Sequence, residues 1–216
     1  MPGAKPLSIP FLIAPGNLAI DDVVTFLVAV LTAVLINGEA QAFAATLLGD
    51  ARPGTRDRFH FNALLHLDIL GTICFLAGGF GWPRTVKVDS AKLRQPWYIL
   101  LVRFAGPVGN LLLANIAASV IWLGAKVSVD TRVFALVAAV NITVAVYSLV
   151  PIPPLAAATF WDLLLFSGRE RLWQIWRQAG PFLLVAIVLL ERITGQGIIS
   201  GYLNPLVRDL FTFITG

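Results

Sequence analysis

The sequence predicts an all-α, polytopic membrane protein, and three observations carry that expectation. Residues are 57% hydrophobic and only 13% charged, where a soluble domain carries about a quarter charged residues. Mean hydropathy is +0.81, as expected when several segments are long and apolar enough to span a bilayer. The basic residues gather in short loops between the apolar runs, the distribution that orients membrane proteins. The formal charge of +4 is therefore read as a topology signal, with no nucleic acid as partner. Cys74 is the only cysteine and lies inside an apolar run. It is read as a packed thiol, which excludes a disulfide framework and a cysteine metal cluster.

In chain order, residues 1–19 interleave prolines with Leu7, Ile9, Phe11, Leu12 and Ile13. Such spacing cannot make a helix, so an extended N-terminal arm is expected, with no signal peptide. Asp21 and Asp22 open a spanning helix over about 21–48, where acidic residues suit the positive end of the helix dipole. Gly49-Asp50 closes it. The apolar but glycine-rich stretch 64–80 is short, and residues 81–97 alternate like a short β strand. Trp97 and Tyr98 introduce a long helix over about 98–124. Another span over about 132–150 stops at Pro151-Ile152-Pro153-Pro154. Residues 159–178 set Trp161, Trp173 and Trp176 against Arg169, Arg171 and Arg177, an amphipathic stretch suited to the interface. A last span over about 180–193 and a short amphipathic tail complete the chain. The domain reading is an arm at 1–19, an embedded domain at 20–200 and a tail at 201–216.

Arg52, Arg56, Arg58, Arg84, Lys87, Lys92 and Arg94 crowd the two loops that flank 64–80. A full crossing there would put those loops on opposite faces. A re-entrant path puts them together on the cytoplasmic face, and irregular backbone is tolerated at membrane depth when protein surrounds it. The expected architecture is thus about four full spans plus a re-entrant segment and a short β-like stretch.

Four motif blocks stand in order along this layout. The first is Asn37-Gly38-Glu39-Ala40-Gln41 with Gly49-Asp50 downstream. The second runs from Arg58 through Asn62, His66 and Asp68 to Gly71. The third is Ala105-Gly106-Pro107-Val108-Gly109-Asn110. The fourth is Asn141 with Tyr147-Ser148-Leu149-Val150-Pro151-Ile152-Pro153-Pro154-Leu155-Ala156-Ala157-Ala158. Together they resemble the site-2 protease family of intramembrane zinc proteases, most of all its short bacterial members without an attached PDZ domain.

That resemblance implies a helical bundle in the bacterial cytoplasmic (inner) membrane, with a zinc ion held by two histidines one turn apart and a distant aspartate. A glutamate beside the first histidine would activate the bound water. Carried over residue by residue, the ligand positions read Asn37, Gln41 and Ala156, and the general base reads Gly38. Carboxamides are poor zinc ligands, and alanine and glycine offer none. The expectation is therefore a pseudoprotease, not an enzyme, with no metal and no cofactor. Asn37, Glu39, Gln41, Asn110, His66 and Asp68 remain as a polar cluster. Asn37, Gln41 and Asn110 glue helices together through amide hydrogen bonds, His66 and Asp68 hydrogen-bond the re-entrant backbone, and, compatibly, the cluster forms a cleft that grips a partner's transmembrane helix or a lipid.

The leading expectation is a structural, assembly or regulatory subunit of a larger membrane complex, with other integral membrane proteins and lipids as partners; a respiratory or photosynthetic assembly would fit. Two alternatives stay open. One is an active intramembrane hydrolase with a rearranged metal site, which needs His60 or His66 near Glu39. The other is a lipid or ion carrier centred on Glu39, a carboxylic acid that is costly to ionise at membrane depth.

Overall fold

The computed structural model describes residues 11, 20–50, 61–165 and 168–216. Among them the regular elements are helical: α1 (Ile20–Leu47), α2 (Ile69–Gly78), α3 (Tyr98–Val127), α4 (Arg132–Tyr147), α5 (Ala158–Leu164), α6 (Glu170–Thr194) and α7 (Ser200–Thr215). Single turns of 3-10 helix lie at Ala63–His66 and Ser90–Lys92. Three helices, α1, α3 and α6, are long and apolar enough to cross a membrane. Helices α2 and α4 are apolar but shorter. The arm expected at 1–19, Phe11 apart, and the basic loop with Arg52, Arg56, Arg58 and His60 lie outside the described residues.

Helix α4 is the axis of the bundle. Every residue from Leu136 to Tyr147 is buried, as an all-round apolar sequence requires. Helices α1 and α3 pack on it and on each other. Their contact faces are built from small side chains, among them Ala29, Ala33, Ala114 and Ala117, which let backbones approach closely and gain dispersion contacts that lipid cannot replace. Arg132 Nη2 donates to Asp22 Oδ1 at 2.6 Å, which sets the starts of α1 and α4 side by side. The pair is exposed, so its contribution is about 0–1 kcal/mol. At the other end, Arg94 N–H donates to Leu48 O at 3.1 Å and Asp89 N–H to the buried Asp50 carboxylate at 3.0 Å. Gly49 makes this closure possible: its φ is +127°, and a Cβ there would sit 2.7 Å from Lys92 O.

Two expectations are corrected here. The β-like stretch at 81–97 is no strand; it makes one antiparallel bridge, between Leu67 and Pro83, and Arg84 N–H donates to His66 O at 2.7 Å. Pro83 has no N–H with which to extend a ladder, and Val86 O is taken by an arginine of α3. Nor is the amphipathic stretch 159–178 one element. Helix α5 ends at Leu164, Gly168 takes a left-handed φ of +76°, and α6 then runs unbroken from Glu170 to Thr194 with Pro181 inside it. The last apolar helix therefore begins ahead of the 180–193 span read from hydropathy.

Asp68 fixes the start of α2. Its carboxylate accepts from Gly71 N–H at 2.9 Å, capping the helix, and from Trp82 Nε1 at 3.0 Å. Gly71 lies so close to the returning chain that a Cβ would meet Trp82 O at 2.2 Å. Gly71→Ala is expected to lower the unfolding temperature in detergent by several degrees, because the clash is with backbone. Gly201→Ala meets nothing within 4 Å and serves as the control; equal melting curves for the two variants would refute the assignment.

Candidate functional site

The site grows from three helices and one extended segment. Helix α1 presents Asn37 and Gln41 one turn apart on its inner face. Helix α3 brings Arg103, Gly106 and Asn110, and α4 brings Asn141. Asn37 can approach α3 only because residue 106 is glycine: a Cβ there would lie 2.4 Å from Asn37 Oδ1.

A single chain of hydrogen bonds links them. Arg103 Nη1 donates to Gln41 Oε1 at 3.0 Å. Gln41 Nε2 donates to Asn37 Oδ1 at 2.7 Å, and Asn37 Nδ2 to Asn110 Oδ1 at 2.6 Å. Asn110 Nδ2 donates both to Asn141 Oδ1 at 2.7 Å and to Ala33 O at 2.9 Å. Asn141 Nδ2 ends the chain on Val137 O at 2.8 Å. The chain has one possible sense. A guanidinium only donates and a backbone carbonyl only accepts, so each amide between them must turn its oxygen toward the arginine. Asn110 and Asn141 are fully buried, where an unsatisfied amide is expensive.

Ala156 lies beside this chain. It lines, with Asn37, Gln41, Arg103, Trp82 and Ser148, a cavity of about 20 Å³, room for about one water molecule. The structure thus brings Asn37, Gln41 and Ala156 to one small space, with Asn110 bonded behind them.

Glu39 and His66 form a second arrangement on the neighbouring face of α1. His66 Nε2 is 3.1 Å from Glu39 Oε1, both side chains are buried, and Phe61 N–H donates to the same oxygen at 3.2 Å. Gly38 creates the space for it: a Cβ there would fall 2.2 Å from His66 Nδ1. Asp68 belongs to neither group, being occupied as the cap of α2. Arg103 is the residue that sequence reasoning missed. Its signal was plain, since a cation inside an apolar helix is costly and marks a site. Toward the bundle surface Asp162, on α5, is held above the usual carboxylate range by burial, against the opposing pull of Arg177 and then Arg103.

The zinc ion implied by the family resemblance does not fit these residues. The carboxamide oxygens of Asn37 and Gln41 already accept hydrogen bonds, Ala156 offers a methyl group, and a guanidinium lines the same cavity. Among the described residues no three His, Cys, Asp or Glu side chains converge.

No family model matches the chain, and no solved structure matches it. The chain is similar to a Bacillus subtilis (strain 168) protein named "Putative zinc metalloprotease YwhC", at 32% identity over 126 residues. The match covers 54% of this chain and 58% of the relative; the chain therefore spans somewhat over half the length of the protein it resembles. That similarity corrects the expectation of a non-enzyme, because the relative's name points to a protease.

Removing the centre of the amide chain tests its structural weight. Asn110→Leu strips partners from Asn37 Nδ2 and Asn141 Oδ1, and should cost about 1–3 kcal/mol, read as a lower melting temperature in detergent. Asn115→Leu removes only an exposed amide bonded to its own helix and should leave the melt within experimental scatter. A wild-type melt for Asn110→Leu would show that the chain contributes nothing.

Proposed function

We propose that this site-2-protease-like membrane protein serves as a structural, assembly or regulatory subunit of a larger membrane complex, holding membrane segments of other integral proteins. The observation that carries the reading is the amide chain. It ties α1, α3 and α4 together through buried amides, beside a cavity of about 20 Å³. A core tied in this way is suited to presenting its outer faces. Leu172, Ile175, Phe182, Leu190 and Ile193 point outward from α6, available to lipid and to partner helices. In this reading α1, α3, α4 and α6 are the four crossings, α2 is the re-entrant segment, and the membrane is the bacterial cytoplasmic one.

Extraction in mild detergent followed by native mass measurement tests it. The chain should leave the membrane bound to other integral proteins in fixed stoichiometry. A lone chain in every mild detergent and in lipid nanodiscs would refute the assembly role.

A second reading, the intramembrane hydrolase with a rearranged site, is favoured by one observation: His66 lies 3.1 Å from Glu39. The imidazole and carboxylate could together take a proton from an attacking water, a role worth about 10²–10⁴-fold in rate. If so, Glu39→Gln and His66→Gln should each cut cleavage of a transmembrane reporter peptide by about 100-fold or more. Cleavage persisting in either variant removes this reading.

A further inference from the structure

The end of the bundle where α3 and α6 begin is strongly basic. Arg84, Lys87, Lys92 and Arg94 precede α3, Arg169, Arg171 and Arg177 open α6, and all seven are exposed. The acidic residues on the same segments and on α5 are Asp89, Asp162 and Glu170. The opposite end, where α1 and α4 start, sets Asp21, Asp22 and Asp130 against Lys126 and Arg132. Arg169 and Arg171 stand at the positive end of the α6 dipole, where a cation is unfavourable, so the helix itself does not call for them. Beside this face lies an apolar groove of about 450 Å³, lined by Phe104, Leu149, Pro151, Phe160, Trp161 and Leu164, within the size range of ligand sites. Phe104 and Phe160 meet edge to face in it, with ring centroids 5.6 Å apart. The two features adjoin. Asp162 lies in the field of Arg177, on the same helix α5, about 10 Å long, that carries Phe160, Trp161 and Leu164.

We propose that this groove holds an acyl chain of an anionic phospholipid whose phosphate lies against the arginines of α6. Apolar surface alone is ordinary on a membrane protein. What selects the occupant is charge complementarity beside the groove, because clustered arginines near a membrane surface attract anionic headgroups. The guanidinium fork matches phosphate oxygens in pairs. Trp161 on α5 and Trp176 on α6 stand on the same two helices, and tryptophan favours the headgroup level. A partner helix would fill the groove but bring no anion to Arg169, Arg171 and Arg177. The site is independent of the assembly role, since a chain isolated alone would select the lipid equally well.

The test separates headgroup from chain. The full chain, stripped of lipid in detergent, is offered phosphatidylglycerol or phosphatidylcholine with identical acyl chains, and bound lipid is counted by native mass spectrometry. Phosphatidylglycerol should bind about tenfold more tightly, and inorganic phosphate should not displace it. R169Q/R171Q/R177Q should bring phosphatidylglycerol down to the phosphatidylcholine level, whereas R169K/R171K/R177K should keep most of the preference. L149N/L164N should weaken both lipids and leave their ratio unchanged. Equal binding of the two lipids by the wild type overturns the proposal, as does displacement by phosphate or a preference that survives loss of the three arginines. Lipid binding untouched by L149N/L164N also overturns it and leaves the groove to a protein segment. Should a variant fail to fold, the wild-type comparison of the two lipids and the phosphate competition decide the matter.

Discussion

The structure depends on a one-way chain of hydrogen bonds through the middle of an apolar bundle. It begins at a group that can only donate, Arg103, and ends on carbonyls that can only accept, Ala33 O and Val137 O. Between them no amide can turn over without leaving two partners unpaired in a medium with no water to replace them. Helices in lipid lack a hydrophobic driving force for association. A directed polar chain that engages α1, α3 and α4 at once therefore fixes their rotation and register more sharply than alanine packing alone. The glycine at 106 is the steric condition for it, since Asn37 fills the space where a side chain would stand.

Much of this was legible in the sequence. Hydropathy and acidic capping located α1, the aromatic pair at 97–98 located the start of α3, and the proline cluster located the end of α4. The family resemblance of the motif blocks implied that Asn37, Gln41, Ala156 and Asn110 lie close together; the first three line one small cavity, and Asn37 bonds Asn110. The segment at 81–97 was misread because alternation reports which side chains are buried, not whether a partner strand exists. Val86 is buried, but its carbonyl serves Arg103. Helix α6 was begun too late because Arg169, Arg171 and Arg177 lower the local hydropathy while leaving the backbone helical. Arg103 was overlooked for a related reason: one charge scarcely moves an apolar average.

The similarity to a protein named as a zinc metalloprotease and the chemistry of the cavity bear on different levels. The first concerns descent of the scaffold over about half the chain. The second concerns which atoms face one small space. The helices here enclose amides, a methyl group and a guanidinium.

The bare backbone at Gly38 carries a further consequence. The imidazole of His66 rests where any side chain at that position would begin, so occupancy of the two places is mutually exclusive. A side chain placed at 38 would displace the ring and break its hold on Glu39.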